Sequence, residues 1–175
     1  MKTVKKRSQI QEKSVAKDFN AKVTVASGAL WGMKADVRSD KFLIECKTTE
    51  KDYYPLTAKV WEKIEREAIK DRGRIPLMVI DLEDKDRVVV FKPKDFQTEI
   101  PAPYDCTAKS LEEKDLKSYR VSLKELLEAE EDFGEYIYGK LFLICGDKRN
   151  MLFCMRIKDF EETFKGELQW VLNIV

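Results

Sequence analysis

Two carboxylates and a lysine, Asp36, Glu45 and Lys47, are this chain's best-placed reactive side chains. They stand on two neighbouring stretches, 33–38 and 41–47, that alternate in side-chain character and read as a β-hairpin turning at Ser39-Asp40. Side chains on a strand alternate with period two, so Leu43, Glu45 and Lys47 share one face and Phe42, Ile44 and Cys46 the other. With Ser39-Asp40 as a two-residue turn, Asp36 pairs with Leu43 and lies diagonal to Glu45. Diagonal neighbours sit about 7–8 Å apart, within reach of one ion held between two carboxylates.

Such a pair offers hard oxygen ligands, which suit Mg²⁺ or Mn²⁺. The backbone carbonyl of Cys46 could add a third. A metal held there would activate water and stabilise charge on a phosphate. Lys47 could orient or deprotonate the water, or neutralise the pentacovalent state. These are the parts that phosphodiester cleavage needs.

A third carboxylate comes from the first helix, expected over residues 8–20 with Ser8 as its cap and Gln11 completing a capping box. Val15, Ala16 and Phe19 form its apolar stripe, and Glu12 precedes them at helical spacing, so it points at the core. An inward carboxylate is costly unless paired or near a cation. From there Glu12 could act from behind the ligands or hold a second ion through water.

Other chemistry is excluded by composition. The chain has no histidine, which removes Ser-His and Cys-His catalysis and His-based zinc hydrolysis. Its four cysteines form no CxxC pair, and reduced thiols in a cytoplasmic protein are expected. No apolar run approaches the roughly 20 residues that span a bilayer, and the basic N-terminus lacks a signal peptide's apolar core.

Charge is uneven. Residues 1–74 hold 18 Lys+Arg against 11 Asp+Glu, and the remainder 15 against 21. The first half therefore suits a polyanion. Lys2, Lys5, Lys6 and Arg7 form a basic arm before Glu12; Lys13 and Lys34 join it as candidate DNA contacts. Thr48, Thr49 and Lys51 follow the catalytic strand and could bind phosphate oxygens. Tyr53 and Tyr54 could stack on bases or pack the next helix, and Trp61 lies on an apolar helical face.

The remaining elements follow from pattern. Residues 22–26 read as a strand, and 55–72 as a helix with Pro55 in its first turn and Gly73 past its end. Strands are expected at 75–82, 87–92, 140–145, 151–157 and 170–175, with helices near 122–132 and from 158. The fold class is α/β: a mixed central sheet flanked by helices, one domain over 1–175. Its core runs from about 5 to 98 in the order α-β-β-β-α-β, with a C-terminal α+β extension from 99 to 175.

As a set these residues resemble the PD-(D/E)XK nuclease motif. The likeness runs through Ser27-Gly28-Ala29, Gly32 to Val37, and Phe42-Leu43-Ile44-Glu45-Cys46-Lys47-Thr48-Thr49. Within that superfamily it is nearest to archaeal-type Holliday junction resolvases and their bacteriophage relatives, and it covers about residues 5–92. The resemblance implies a restriction-endonuclease-like core, Asp36 and Glu45 as metal ligands, Lys47 as catalytic lysine and Glu12 as metal-site assistant. Ser27 would sit on a loop near the scissile phosphate. It also implies a Mg²⁺-dependent enzyme (Mn²⁺ substituting) resolving four-way DNA junctions as a homodimer, in the cytoplasm of a bacterial, phage-infected or archaeal cell. Ser8 departs from the family, which often carries glycine there, and the C-terminal half exceeds a minimal resolvase. The alternatives are a restriction-like, nicking or repair nuclease on the same core, an RNA-cleaving enzyme, and a non-catalytic DNA-binding protein that kept the fold.

Overall fold

A computed structural model describes residues 4–24, 35–83, 86–97, 118–122, 139–143, 151–165 and 168. Seven strands form one mixed sheet: β1 (Lys22–Val23), β2 (Val37–Arg38), β3 (Phe42–Thr49), β5 (Ile75–Leu82), β6 (Asp86–Phe91), β8 (Gly139–Leu143) and β9 (Met151–Arg156), in the spatial order β1-β2-β3-β5-β6-β9-β8. The pair β3–β5 is parallel and the others are antiparallel. A parallel pair needs a crossover, and the chain between its strands supplies one. That crossover holds β4 (Tyr53–Thr57) and helix α2 (Ala58–Lys70). β4 leaves the main sheet and pairs antiparallel with β7 (Ser118–Ser122).

Helices cover both faces. The helix α1 (Val4–Asp18) packs Val15, Ala16 and Phe19 on the face of Phe42, Ile44 and Cys46. The helix α3 (Ile157–Thr163) joins it there through Phe160 and, just beyond its end, Phe164. Phe91 is ringed by Phe96, Phe160, Phe164 and Phe153 at centroid distances of 5.1, 5.2, 5.4 and 5.7 Å. On the opposite face, Trp61 and Ile64 of α2 pack on Met78, Ile80, Val88 and Val90, with Leu56 and Val121 from the small sheet. The segment expected as an extension thus supplies two strands and a helix to the central sheet and its core.

Several boundaries differ from the expected ones, each for a local reason. The first helix begins at Val4, so Ser8 lies inside it and its hydroxyl donates to Glu12 at 3.0 Å rather than capping. The capping box with Gln11 does not form. The second helix starts at Ala58, not Pro55: Thr57 is its N-cap, accepting from the Val60 N–H at 3.3 Å, and Pro55 sits in β4 opposite Arg120. Gly73 follows the helix with φ +68, as a C-terminal glycine should. The hairpin of β8 and β9 forms as expected. Of the helix expected near 122–132, Ser122 instead ends β7 and the remainder lies outside the described residues, as do the expected strand at 170–175, Ser27, Trp31, Lys34, Cys106 and Cys145.

Candidate active site

The hairpin of β2 and β3 turns at Asp40-Lys41, not at Ser39-Asp40. Ser39 N–H donates to the Phe42 carbonyl at 3.0 Å, and its hydroxyl accepts the Phe42 N–H at 2.9 Å. Serine therefore closes the hairpin instead of forming its tip. Neither turn residue takes a positive φ, the conformation that two-residue hairpins favour. The turn is braced from α2 and β5 instead: Arg74 donates to the Ser39 carbonyl at 2.6 Å, Ile75 N–H to the Lys41 carbonyl at 2.9 Å, and Asp71 pairs with both Arg38 and Arg74.

The consequence for chemistry is a register shifted by two. Arg38 faces Leu43 and Val37 faces Ile44, so continuing the ladder by one step puts Asp36 directly opposite Glu45 rather than diagonal to it. Directly opposed residues share a face and stand closer than diagonal ones, with Cα atoms about 4.5–5.5 Å apart. The ladder itself stops at Val37. Asp36 reaches across with its side chain, and its Oδ2 accepts the Cys46 N–H at 2.9 Å. Burial pushes the Asp36 carboxyl above its ordinary value, and the Glu45 charge pushes it further. The Cys46 N–H and Lys47 oppose that rise, and Glu12 adds a smaller push of its own. Glu45, and more weakly Glu12, are therefore electrostatic neighbours of Asp36.

Glu45 is buried, with a side chain 8% exposed. Lys47 Nζ lies 2.7 Å from its Oε1, and Lys63 of α2 reaches the same oxygen at 3.9 Å. For Lys47 burial works against the ammonium, yet its charge and hydrogen-bond contacts with Glu45, aided by Asp36, outweigh that and raise its pKa. Tyr54, half-buried beside this pair, has its hydroxyl pKa raised by burial, with Lys47 opposing and Glu45 reinforcing. The Cys46 thiol faces the opposite side, packed under α1, where burial and the surrounding carboxylates push it up. Among the described residues, no group of three Asp, Glu or Cys side chains is already gathered as a metal cage. Of the two carboxylates the sequence offered as ligands, Asp36 is occupied by Cys46 and Glu45 by Lys47.

Gln11, expected in a capping box, instead turns inward onto the strands that carry Lys47 and Val79. It is 2% exposed, and its amide Nε2 donates to the Lys47 carbonyl at 2.8 Å and to the Val79 carbonyl at 3.2 Å. One side chain thus ties α1 to both parallel strands at the level of Lys47. A signal was present: Gln11 precedes Val15 and Phe19 by four and eight residues, closer to the centre of the stripe than Glu12. Removing a donor from two strand carbonyls is expected to cost about 1–3 kcal/mol, because a buried acceptor left alone bears its desolvation penalty. Urea unfolding of Gln11→Ala checks this; a change below about 0.5 kcal/mol, the size of a bland surface substitution, would contradict it.

Other expected contacts are placed as follows. Lys6 and Lys13 are exposed on α1, and Lys5 lies on the same helix. Arg7 pairs with Glu50 at 2.7 Å. Thr48 and Thr49 are half-buried at the end of β3, and Thr49 Oγ1 accepts the Lys51 N–H at 3.1 Å. A separate network, Arg87 with Asp81, Asp18 and Ser14, joins α1 to β5 and β6. No described helix is long and apolar enough to cross a membrane.

No family model matches the chain, and no curated protein compared with it is similar. Among solved structures it is similar to Hjc, a Holliday junction resolvase from the archaeal hyperthermophile Archaeoglobus fulgidus, at 14% identity and a TM-score of 0.41. That likeness covers 66% of this chain and 88% of the archaeal one. A likeness of this size assigns no residue a role, and the functional reading rests on the side chains described above.

Proposed function

We propose that this chain is a divalent-metal-dependent DNA endonuclease in which Asp36 and Glu45 hold the cation and Lys47 neutralises charge at the scissile phosphate. The observation that carries the reading is the β2–β3 register, whose continuation by one step sets a half-buried Asp36 opposite a buried Glu45 with Lys47 on the same face. Burial first, and the Glu45 charge after it, raise the Asp36 pKa, and a hard cation between the two carboxylates would offset both.

The donor chemistry fits Mg²⁺ or Mn²⁺: Asp36 and Glu45 would be ligands, with the Cys46 carbonyl as a further oxygen and Glu12 close behind. Bound there, the ion would lower the pKa of a water molecule and polarise the phosphate. Lys47 has to release Glu45 for that to happen, which frees its ammonium for the phosphate oxygens. A raised pKa keeps Lys47 charged, so it serves as an electrostatic stabiliser and not as the base. Gln11 holds the backbone carbonyl of Lys47 and so sets where the ammonium starts from. Lys5, Lys6, Lys13, Lys34, Thr48 and Thr49 are proposed to contact the DNA backbone, and Ser27 to lie by the scissile phosphate.

The finer reading is resolution of four-way junctions by a homodimer, whose two-fold symmetry would deliver two matched nicks. It rests on the motif resemblance around Ser27, Asp36, Glu45 and Lys47. The experiment is a substrate panel with Mg²⁺: four-way junction, linear duplex, single-stranded DNA and RNA. Paired symmetric nicks confined to the junction are expected. Equal cutting of plain duplex would replace the junction reading with a restriction-like, nicking or repair nuclease. No cleavage of any substrate would leave a non-catalytic binding protein.

A further inference from the structure

Two cations converge on one tyrosine ring beside the candidate active site. The Arg120 guanidinium lies 4.0 Å from the centre of the Tyr53 ring. Lys51 Nζ lies 5.2 Å from the same centre and 3.4 Å from the Tyr53 hydroxyl. Among the described residues neither cation carries an ion pair, whereas Arg7, Arg38, Arg74, Arg87 and Arg156 all do. Of the two carboxylates in the turn that carries Lys51, Glu50 is held by Arg7, and Asp52 is exposed.

The backbone explains the convergence. Tyr53 pairs with Ser122 in the small sheet, so Arg120 is its diagonal neighbour on the same face. The alternate residues Leu56 and Val121 are fully buried against the core, and Tyr54 packs with them. One face of the sheet is thus anchored and the other presents Tyr53 and Arg120 outward. Tyr54, on the anchored side, is the residue that senses Lys47 and Glu45. The guanidinium already covers a face of Tyr53, so the cluster suits an anion more than a stacked base.

We propose that Lys51, Tyr53 and Arg120 form a phosphate clamp that grips the DNA backbone next to the scissile position. Lys51 follows Lys47 by four positions, just past the end of β3, so their Cα atoms stand at most about 13 Å apart and the clamped phosphate lies near the cut. The clamp makes β7 part of the substrate site, although its sequence lies far from the motif. This inference rests on the nuclease reading for its substrate but not for its test.

The test is binding of the full chain to a fluorescein-labelled DNA duplex in EDTA, followed by anisotropy across a salt series. Arg120→Ala and Lys51→Ala are each expected to weaken binding about fivefold to tenfold and to reduce the salt slope by about one, as loss of one phosphate contact does. Arg120→Lys should restore the slope and part of the affinity. Circular dichroism checks that each variant folds, as an exposed Arg120 predicts. An unchanged affinity and salt slope in folded Arg120→Ala would overturn the clamp, even if the protein cleaves DNA. An Arg120-dependent slope in a protein that cleaves nothing would uphold the clamp and overturn the nuclease reading.

Discussion

Lys47→Met is expected to lower DNA cleavage by about 10²–10³-fold, the usual cost of removing one preorganised charge stabiliser from a hydrolytic site. The loss should fall on the cleavage step, with DNA affinity changed little. The substitution keeps most of the aliphatic stem and removes the ammonium, leaving Glu45, among the described residues, with the more distant Lys63. Glu45 is buried but Lys47 is 32% exposed on its side chain, so solvent screens part of the effect. A stability loss of about 1–2 kcal/mol is expected, below the range for a fully buried pair. The double variant Glu45→Gln/Lys47→Met should recover that stability and stay inactive, separating folding from chemistry. The pH dependence carries a sign. Lys47 has a raised folded pKa, so its contribution to stability is complete below its unfolded value of 10.5 and fades as pH rises through the folded value. No loss of cleavage or of stability at neutral pH should therefore trace to Lys47 giving up its proton. A cleavage rate unchanged in Lys47→Met would remove Lys47 from the chemistry.

Asp36→Asn is expected to move stability and activity in opposite directions. Asparagine keeps an oxygen to accept the Cys46 N–H and removes the charge that faces Glu45. The folded pKa of Asp36 lies above its unfolded 3.8, so between those values the native state holds a proton that the unfolded chain has lost. Wild-type stability therefore falls as pH climbs through that window, and the whole penalty is present at neutral pH. The variant escapes it, with a gain of about 0.5–1 kcal/mol for relief of directly opposed like charges. In a chain of this length that is a melting temperature higher by about 1–4 °C. The advantage should vanish near the unfolded pKa. Adding Mg²⁺ should raise the melting temperature of the wild type and not of the variant, because only a cation bound to the folded state stabilises it. Thermal melts at neutral and acid pH, with and without Mg²⁺, read all of this. A variant less stable than wild type at neutral pH would contradict the crowded-carboxylate account.

Asp36, Glu45 and Lys47 were legible because strand alternation is a local property, and the structure keeps Glu45 and Lys47 on one face with Asp36 across from them. The run Ile75–Leu82 is legible to the residue, since a central strand buried from Pro76 to Ile80 leaves a nearly continuous hydrophobic stretch. What escaped depended on distant partners. Pro55 reads locally as the first turn of a helix, but Tyr53–Thr57 finds a strand partner at Ser118–Ser122, and no local pattern announces that pairing. Ser39 reads as a hairpin tip, but it pairs with Phe42 through its N–H and its hydroxyl, and the turn braced by Arg74 and Ile75 has a register shifted by two. Gln11 reads as a capping side chain because amides are common on helix surfaces. Its role is visible only once two strands bring their carbonyls beneath it. The clamp of Lys51, Tyr53 and Arg120 has the same origin, joining two segments through a sheet edge.

Whether Asp36 holds a catalytic cation is decided by a Mg²⁺ titration of DNA nicking by wild type and Asp36→Asn, side by side, on a synthetic four-way junction. No nicking is expected in EDTA, nicking should rise with Mg²⁺ in the wild type, and the variant should be slower by about 10³-fold or more. Nicking that persists without divalent cations, or that proceeds equally fast in Asp36→Asn, would contradict that role.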